Sequence, residues 1–272
     1  MRMQEIINRF EEIYPKKLAE EWDNVGLLIG DNKKEIKKVQ LSIDATEDAI
    51  DNAIKNGVDM IVTHHPVIFK GIKSIDYSTV MGRKIRKLIK NDINVYSLHT
   101  NLDSANGGLN DYILNLLGIE KSQVLDKNLN FEDCGIGRVY KLEKECSIKE
   151  YIGEIKDKLE IEHIRLISSD ENTEIKKIAL VNGSGMSYWR KAKSLGVDLF
   201  ITGDVGYHEA LDAKEANLNV VDIGHFESEK HFIKLLKTYF EKMDIDVIIY
   251  NDGPVFKTYW FRSRKWEKRL QS

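Results

Sequence analysis

Several things are scarce in this sequence, and each scarcity narrows the reading. Proline occurs 3 times in 272 residues, and there is no Gly/Ser-rich tract. A long flexible linker is therefore not expected. The two cysteines, Cys134 and Cys146, have no CxxC companion. They read as free thiols, buried or half-buried, and not as part of a thiolate zinc site. No run of about 18 apolar residues occurs, so no segment reads as a membrane span. The opening residues Met1-Arg2-Met3-Gln4-Glu5-Ile6-Ile7 lack the apolar core of a secretory signal. A cytoplasmic protein is expected. Charge of one sign is also lacking: 41 Lys+Arg against 44 Asp+Glu give a net charge of −3. Nothing global attracts the chain to nucleic acid or to an anionic membrane, and neither is expected as a partner.

What is present suits a folded protein of one large or two ordinary domains. Hydrophobic residues make up 42% of the chain and charged residues 31%, which supports a core and excludes disorder. Ile6, Ile7, Phe10 and Ile13 fall at helical spacing before Pro15, predicting a helix over 3–13. Strand-like and helix-like stretches then alternate. Val39–Ile43, Val58–Val62 and Ile93–Leu98 read as strands. Thr46–Lys55, with Thr46 as N-cap and Gly57 beyond its end, reads as a helix, as does Thr79–Lys90. Such alternation implies parallel strands with helices covering the sheet.

A later stretch repeats this one. Lys37-Lys38-Val39-Gln40-Leu41 matches Lys176-Lys177-Ile178-Ala179-Leu180. At the same gap-free offset, Gly57-Val58-Asp59 matches Gly196-Val197-Asp198. Core packing alone makes all strand–helix–strand units look somewhat alike, but identical Gly-Val-Asp anchors favour a duplication. Two halves, 1–125 and 126–272, are expected. The stretch from Phe131 to Ile175 is expected to add strands and one helix, Ile148–Leu159.

Ligands in open α/β sheets bind at the carboxyl ends of the strands. Five of the 7 histidines follow a predicted strand: His64 and His65, His99, His208 and His225. A lone histidine at a strand end is usually a structural hydrogen-bonding residue. The adjacent pair His64-His65, stiffened by Pro66, is different, because a strand-to-loop turn can aim both rings at one cavity. His225 and Glu229 are spaced i, i+4 and share a face if a helix starts near Phe226. With Asp103, these give five donors: His64, His65, Asp103, His225 and Glu229. Five are too many for one catalytic zinc with an open position and suit a two-metal site completed by water. Mixed nitrogen and oxygen donors fit Zn, Fe, Mn or Ni without choosing among them.

Other segments carry weaker signals. Asp23-Asn24-Val25-Gly26 is a turn signal leading into a strand at Leu27–Ile29, with lining of the site by Asp23 and Asn24 as the lesser reading. Lys70 and Lys73 read as ordinary exposed lysines, with contact to an anionic substrate as the lesser reading. Val181-Asn182-Gly183-Ser184-Gly185 is a Gly-rich turn without a P-loop GK[ST]. Across the repeat, His64-His65 aligns with Gly203-Asp204. Asp204 and His208 are then candidates for groups that support the site or face a substrate.

Taken in order, Trp22-Asp23-Asn24-Val25-Gly26-Leu27, Thr63-His64-His65-Pro66, His99-Thr100-Asn101-Leu102-Asp103, Thr202-Gly203-Asp204 with His208, and Gly224-His225 with Glu229 resemble the NIF-three-like family. These are dinuclear metal-centre proteins often named GTP cyclohydrolase 1 type 2 homologues. The resemblance implies a duplicated three-layer α/β/α fold with mixed sheets, assembled as a toroidal homohexamer. It implies two divalent ions per chain. His65 and Asp103 would serve one, His64 and His225 the other, and Glu229 would bridge them. It further implies hydrolytic opening of the GTP imidazole ring by a metal-bound water, with no side chain assigned as catalyst. No residue set here announces guanine or triphosphate. The alternative is a non-catalytic metal-binding, metal-delivery or interaction protein built on the same ring.

Overall fold

The computed structural model describes residues 1–259, so residues 260–272, the end of the expected second half, lie outside the described residues. The predicted amphipathic helix forms as α1 (Met3–Ile13), with Met3, Ile6 and Phe10 buried. After it come β1 (Gly26–Ile29), β2 (Lys38–Ser42), α2 (Glu47–Lys55), β3 (Met60–Thr63), α3 (Val80–Lys90) and β4 (Asn94–Ser97). Thr46 and Thr79 cap α2 and α3 by accepting from the Ala49 and Gly82 amides. Two helices follow, α4 (Thr100–Ser104) and α5 (Leu109–Leu117), and then β5 (Gln123–Lys127), β6 (Gly135–Ser147), α6 (Ile148–Leu159) and β7 (Arg165–Ile167). The rest is β8 (Glu174–Leu180), α7 (Trp189–Ser194), β9 (Leu199–Thr202), α8 (Tyr207–Glu215), β10 (Asn219–Asp222), α9 (His225–Glu229), α10 (Phe232–Phe240) and β11 (Asp246–Ile249).

The strands form two mixed sheets, ordered β1-β4-β3-β2-β11 and β5-β6-β8-β9-β10-β7. In the first, β2, β3 and β4 are parallel and β1 runs antiparallel to β4. In the second, β8, β9 and β10 are parallel and β7 runs antiparallel to β10. The repeated sequences therefore occupy equivalent strands. The agreement extends to single bonds. Asp59 Oδ2 accepts from the Lys37 and Lys38 amides at 2.8 and 2.9 Å, and Asp198 Oδ2 accepts from those of Lys176 and Lys177 at 2.9 and 2.7 Å. Gly57 and Gly196 end their helices with φ of +61° and +69°, a left-handed conformation that favours glycine. The chain does not keep its strands in strict halves, however. β5 straddles position 125, and β11 returns from the C-terminal side to pair with β2.

Alternation along the strands makes three layers around each sheet. Val39, Leu41, Met60 and Val62 share one core with Ile178, Leu180, Leu199 and Ile201 and with buried residues of α1, α5, α6 and α10. Those four helices thus form a middle layer common to both sheets. On the outer faces, Ile61 and Val95 pack with α2 and α3, and Phe200 and Val220 pack with α7 and α8. Cys134 and Cys146 are free and half-buried. Among the described residues no helix is long and apolar enough to cross a membrane.

Candidate metal centre

The parallel strands of both sheets end at one place, and the loops after β3, β4 and β10 meet there. The His64 and His65 amides both donate to the Ile43 carbonyl, at 3.1 and 3.0 Å, and Thr63 Oγ1 donates to the His65 carbonyl at 2.8 Å. This tight bend turns the neighbouring rings to the same side, with centroids 5.2 Å apart. Asp103 comes from α4 and is buried. The five-residue helix α9 starts at His225 and ends at Glu229, so both side chains project from one face.

Glu229 lies at the centre of the cluster and is 3% exposed. Its Oε1 lies 3.4 Å from His64 Nε2, and its Oε2 lies 2.9 Å from His65 Nε2 and 3.0 Å from His225 Nε2. Asp103 Oδ1 is 3.8 Å from His64 Nε2, and the His65 and His225 Nε2 atoms are 3.1 Å apart. All five predicted donors are therefore brought together. Their grouping is the reverse of the one the resemblance implies, with His64 beside Asp103 and His65 beside His225.

The opposite edge of each ring is fixed. His64 Nδ1 meets the Leu98 carbonyl at 2.8 Å, His65 Nδ1 meets Asp44 Oδ1 at 3.1 Å, and His225 Nδ1 meets Asp204 Oδ2 at 2.7 Å. Carbonyls and carboxylates only accept, so each Nδ1 carries a proton and Nε2 is left facing the cluster, free to ligate once the ring is neutral. Two Nε2 atoms 3.1 Å apart beside a carboxylate oxygen need positive charge among them, from protons on the rings or from a metal ion. Among the described residues neither His64 Nε2 nor Glu229 Oε2 has a hydrogen-bond partner, although both are buried. Donor separations of 2.9–3.8 Å match the roughly 3.3 Å edge of a tetrahedron with 2.0–2.1 Å metal bonds. The residues fit a metal ion.

Protonation follows the same logic. Burial opposes the charged form of His65, but the Asp44 and Glu229 carboxylates beside it outweigh burial and push the ring up to about 11. His225 is likewise raised against burial, to about 9, through Glu229 and Asp204. Glu229 is held well below the carboxylate range, because the surrounding imidazoles overcome burial. Asp103 moves the other way, raised by burial.

Of the weaker candidates, Asp204 holds His225, as just described. Asp23 accepts from His99 Nδ1 at 2.9 Å and from the Thr100 amide at 3.1 Å, so it supports the site as well as forming a turn. Asn24 donates to the Ile68 carbonyl at 2.5 Å and braces the loop after the paired histidines. His208 is not brought in: it lies exposed on α8, with its ring edge against Tyr207. Sequence reasoning missed Asp44 and Asn182. Asp44 follows β2 and could have been found by reading every strand end, not only those with histidine. Asn182 donates to Asp103 Oδ1 at 2.8 Å from the Gly-rich turn. Gly183 in that turn has φ of +61°, and a Cβ there would lie 2.3 Å from Glu229 Oε1.

Above the cluster is a cavity of about 520 Å³, walled by Trp22, Phe69, Tyr188 and Ser184. Trp22 and Phe69 are 57% and 43% exposed, with ring centroids 5.7 Å apart. Lys70 and Lys73 do not line it.

A duplicated α/β/α fold whose strand ends gather histidines around a buried glutamate defines a protein with a site able to bind a metal ion. The chain belongs to the Duf34/NIF3 (NGG1p interacting factor 3) family, whose model matches residues 1–253. It is 48% identical over 248 residues to a Clostridium perfringens protein named GTP cyclohydrolase 1 type 2 homolog, covering 91% of this chain and 94% of that one. A Clostridium acetobutylicum protein of the same name is 42% identical over 230 residues, covering 84% and 85%. The crystal structure of Staphylococcus aureus protein SA1388 matches with a TM-score of 0.85 at 30% identity, covering 96% of this chain and 99% of that one. Reduced HcgD from Methanocaldococcus jannaschii matches with a TM-score of 0.80 at 33% identity, covering 92% and 97%.

Proposed function

We propose that this chain is a hydrolase dependent on two divalent ions, acting on a nucleotide in the manner of GTP cyclohydrolase 1 type 2. The observation that carries the metal reading is the convergence of His65 Nε2, His225 Nε2 and Glu229 Oε2 within 3.1 Å of one another, with each Nδ1 proton already committed to a carboxylate. The names of the relatives support the reaction class.

His64, Asp103 and Glu229 Oε1 would hold one ion, and His65, His225 and Glu229 Oε2 the other. Divalent ions held there supply Lewis acidity and make water nucleophilic near neutral pH. The chain's own residues do the rest. Asp44 and Asp204 keep the His65 and His225 rings in the ligating tautomer. Glu229 spans both groups and offsets the repulsion between two dications. Trp22 and Phe69 offer aromatic faces to a planar heterocycle whose reacting carbon is directed toward the cluster. Water adds at C8 of the guanine, the imidazole ring opens, and a second hydrolysis releases that carbon as formate.

A homohexamer is part of the proposal and rests on the family resemblance. The test is formate release from GTP by purified chain reloaded in turn with Zn, Fe, Mn and Ni. Formate at steady turnover with one of these metals supports the hydrolase. Full metal occupancy without formate under any of them favours the metal-binding or metal-delivery alternative.

A further inference from the structure

We propose that His99, oriented by Asp23, is a further metal donor of this centre, beyond the five side chains already assigned. The proposal rests on the metal reading above. It starts from a pattern shared by the rings of the cluster. His64, His65 and His225 each fix Nδ1 on an oxygen acceptor, which aims Nε2 inward. His99 has the same arrangement, with Nδ1 2.9 Å from Asp23 Oδ1. The carboxylate–imidazole pairing seen here typically accompanies metal-ligating histidines, since it sets the tautomer and raises donor strength.

Position agrees with the pattern. One ring nitrogen from each of His64, His65 and His99 lies within 4.8 Å of the other two. The His99 ring stands edge-on to both neighbours, at centroid distances of 5.2 Å to His64 and 5.5 Å to His65. It also lines the cavity above the cluster. Trp22 meets it edge-on at 6.0 Å from the far side, which restricts rotation of the ring.

Asp23 holds this ring from within a set of local hydrogen bonds. Its carboxylate is fully buried and accepts from His99, from the Thr100 amide and hydroxyl, and from the Asn24 amide. A carboxylate this well satisfied is rigid, and rigidity at Nδ1 is transmitted to Nε2 at the other end of the ring. A merely structural histidine would bond through both nitrogens or pack against apolar groups. The His99 ring instead lies beside two imidazoles and a cavity.

The test uses cobalt(II) as the probe, because its visible absorption reports the number and type of donors. Wild type, His99→Ala, Asp23→Ala and His225→Ala are titrated with cobalt(II), and each is checked by circular dichroism and melting. If His99 ligates, His99→Ala weakens retention of one ion at least tenfold and shifts the cobalt spectrum. Exogenous imidazole restores the spectrum in His99→Gly. Asp23→Ala, which removes the positioning carboxylate, loses about 10- to 100-fold in affinity with a smaller spectral change. Should a variant fail to fold, the histidine count around cobalt in wild type by X-ray absorption decides: four imidazoles over the two ions support the proposal and three overturn it. An unchanged spectrum and affinity in folded His99→Ala, while His225→Ala loses an ion, overturns the proposal and leaves the metal reading standing. No cobalt uptake by wild type overturns both.

Discussion

His65 Nε2 and His225 Nε2 face each other at 3.1 Å although 160 residues separate them in the chain. One ring is delivered by a strand of the first sheet and the other by a strand of the second. The duplication thus does more than repeat a fold, because the two copies close a site that neither contains alone. The copies have also diverged at this point. His64-His65 in one corresponds to Gly203-Asp204 in the other, and Asp204 now holds His225.

Metal uptake should release protons, with a sign fixed by the raised imidazoles. His65 at about 11 and His225 at about 9 are both protonated in the metal-free chain at pH 7. A metal needs them neutral, so binding at pH 7 should release at least these two protons, and affinity should fall as pH falls. At pH 10 His225 has already lost its proton, and release should drop by about one. Calorimetric titration in two buffers of different ionisation enthalpy measures this directly. Release that does not change between pH 7 and pH 10 would contradict the assignment of these rings.

Gly183→Ala tests how closely the Gly-rich turn is fitted to Glu229. An added Cβ would sit 2.3 Å from Glu229 Oε1, at a backbone φ of +61° that alanine adopts with strain. The carboxylate must move, and the left-handed conformation alone costs about 1–2 kcal/mol. We expect weaker metal binding together with a melting temperature lower by several degrees. Gly57→Ala has a similar φ of +61° and open space around its Cβ, so it should cost stability without touching metal content.

His231 gives the fold an acid limit separate from the ligands. Burial, with Lys230 and Lys234 nearby, lowers its ring to about 4 from an unfolded value of 6.5. Between those values the unfolded chain binds the proton and the folded chain does not. Its contribution is therefore intact above pH 6.5 and is lost as pH falls toward 4, by about 3 kcal/mol in all. Urea unfolding of wild type and His231→Phe at pH 7 and pH 4.5 should show a smaller acid loss in the variant. Parallel losses would rule the contribution out.

Much of this was legible from periodicity and caps. The helices at 3–13 and 148–159 form with the bounds read from the spacing of apolar residues, and Ser147 caps the second by accepting from the Glu150 amide. The convergence of the five predicted side chains was legible because ligands gather at strand ends. Of the sheet edges, β1 was legible as Leu27–Ile29, but β11 was not, because four residues returning from the C-terminal side carry no local sign that they pair with β2. The pairing of rings was not legible either. Adjacent histidines on a bend exchange places with a small backbone rotation, and only the coordinates set His65, not His64, against His225. His208 misled because α8 begins at Tyr207 and carries it outward, whereas Asp204 stays in the loop.

The bridging position of Glu229 between two ions is the central claim, and metal stoichiometry per chain tests it most directly. Glu229→Gln keeps the shape but removes the charge that offsets two cations, and an amide presents only one oxygen. Elemental analysis beside a melting curve should show both ions depleted together in Glu229→Gln, and mainly one depleted in His225→Ala, with the fold intact in each. Two ions per chain retained by Glu229→Gln would contradict the account.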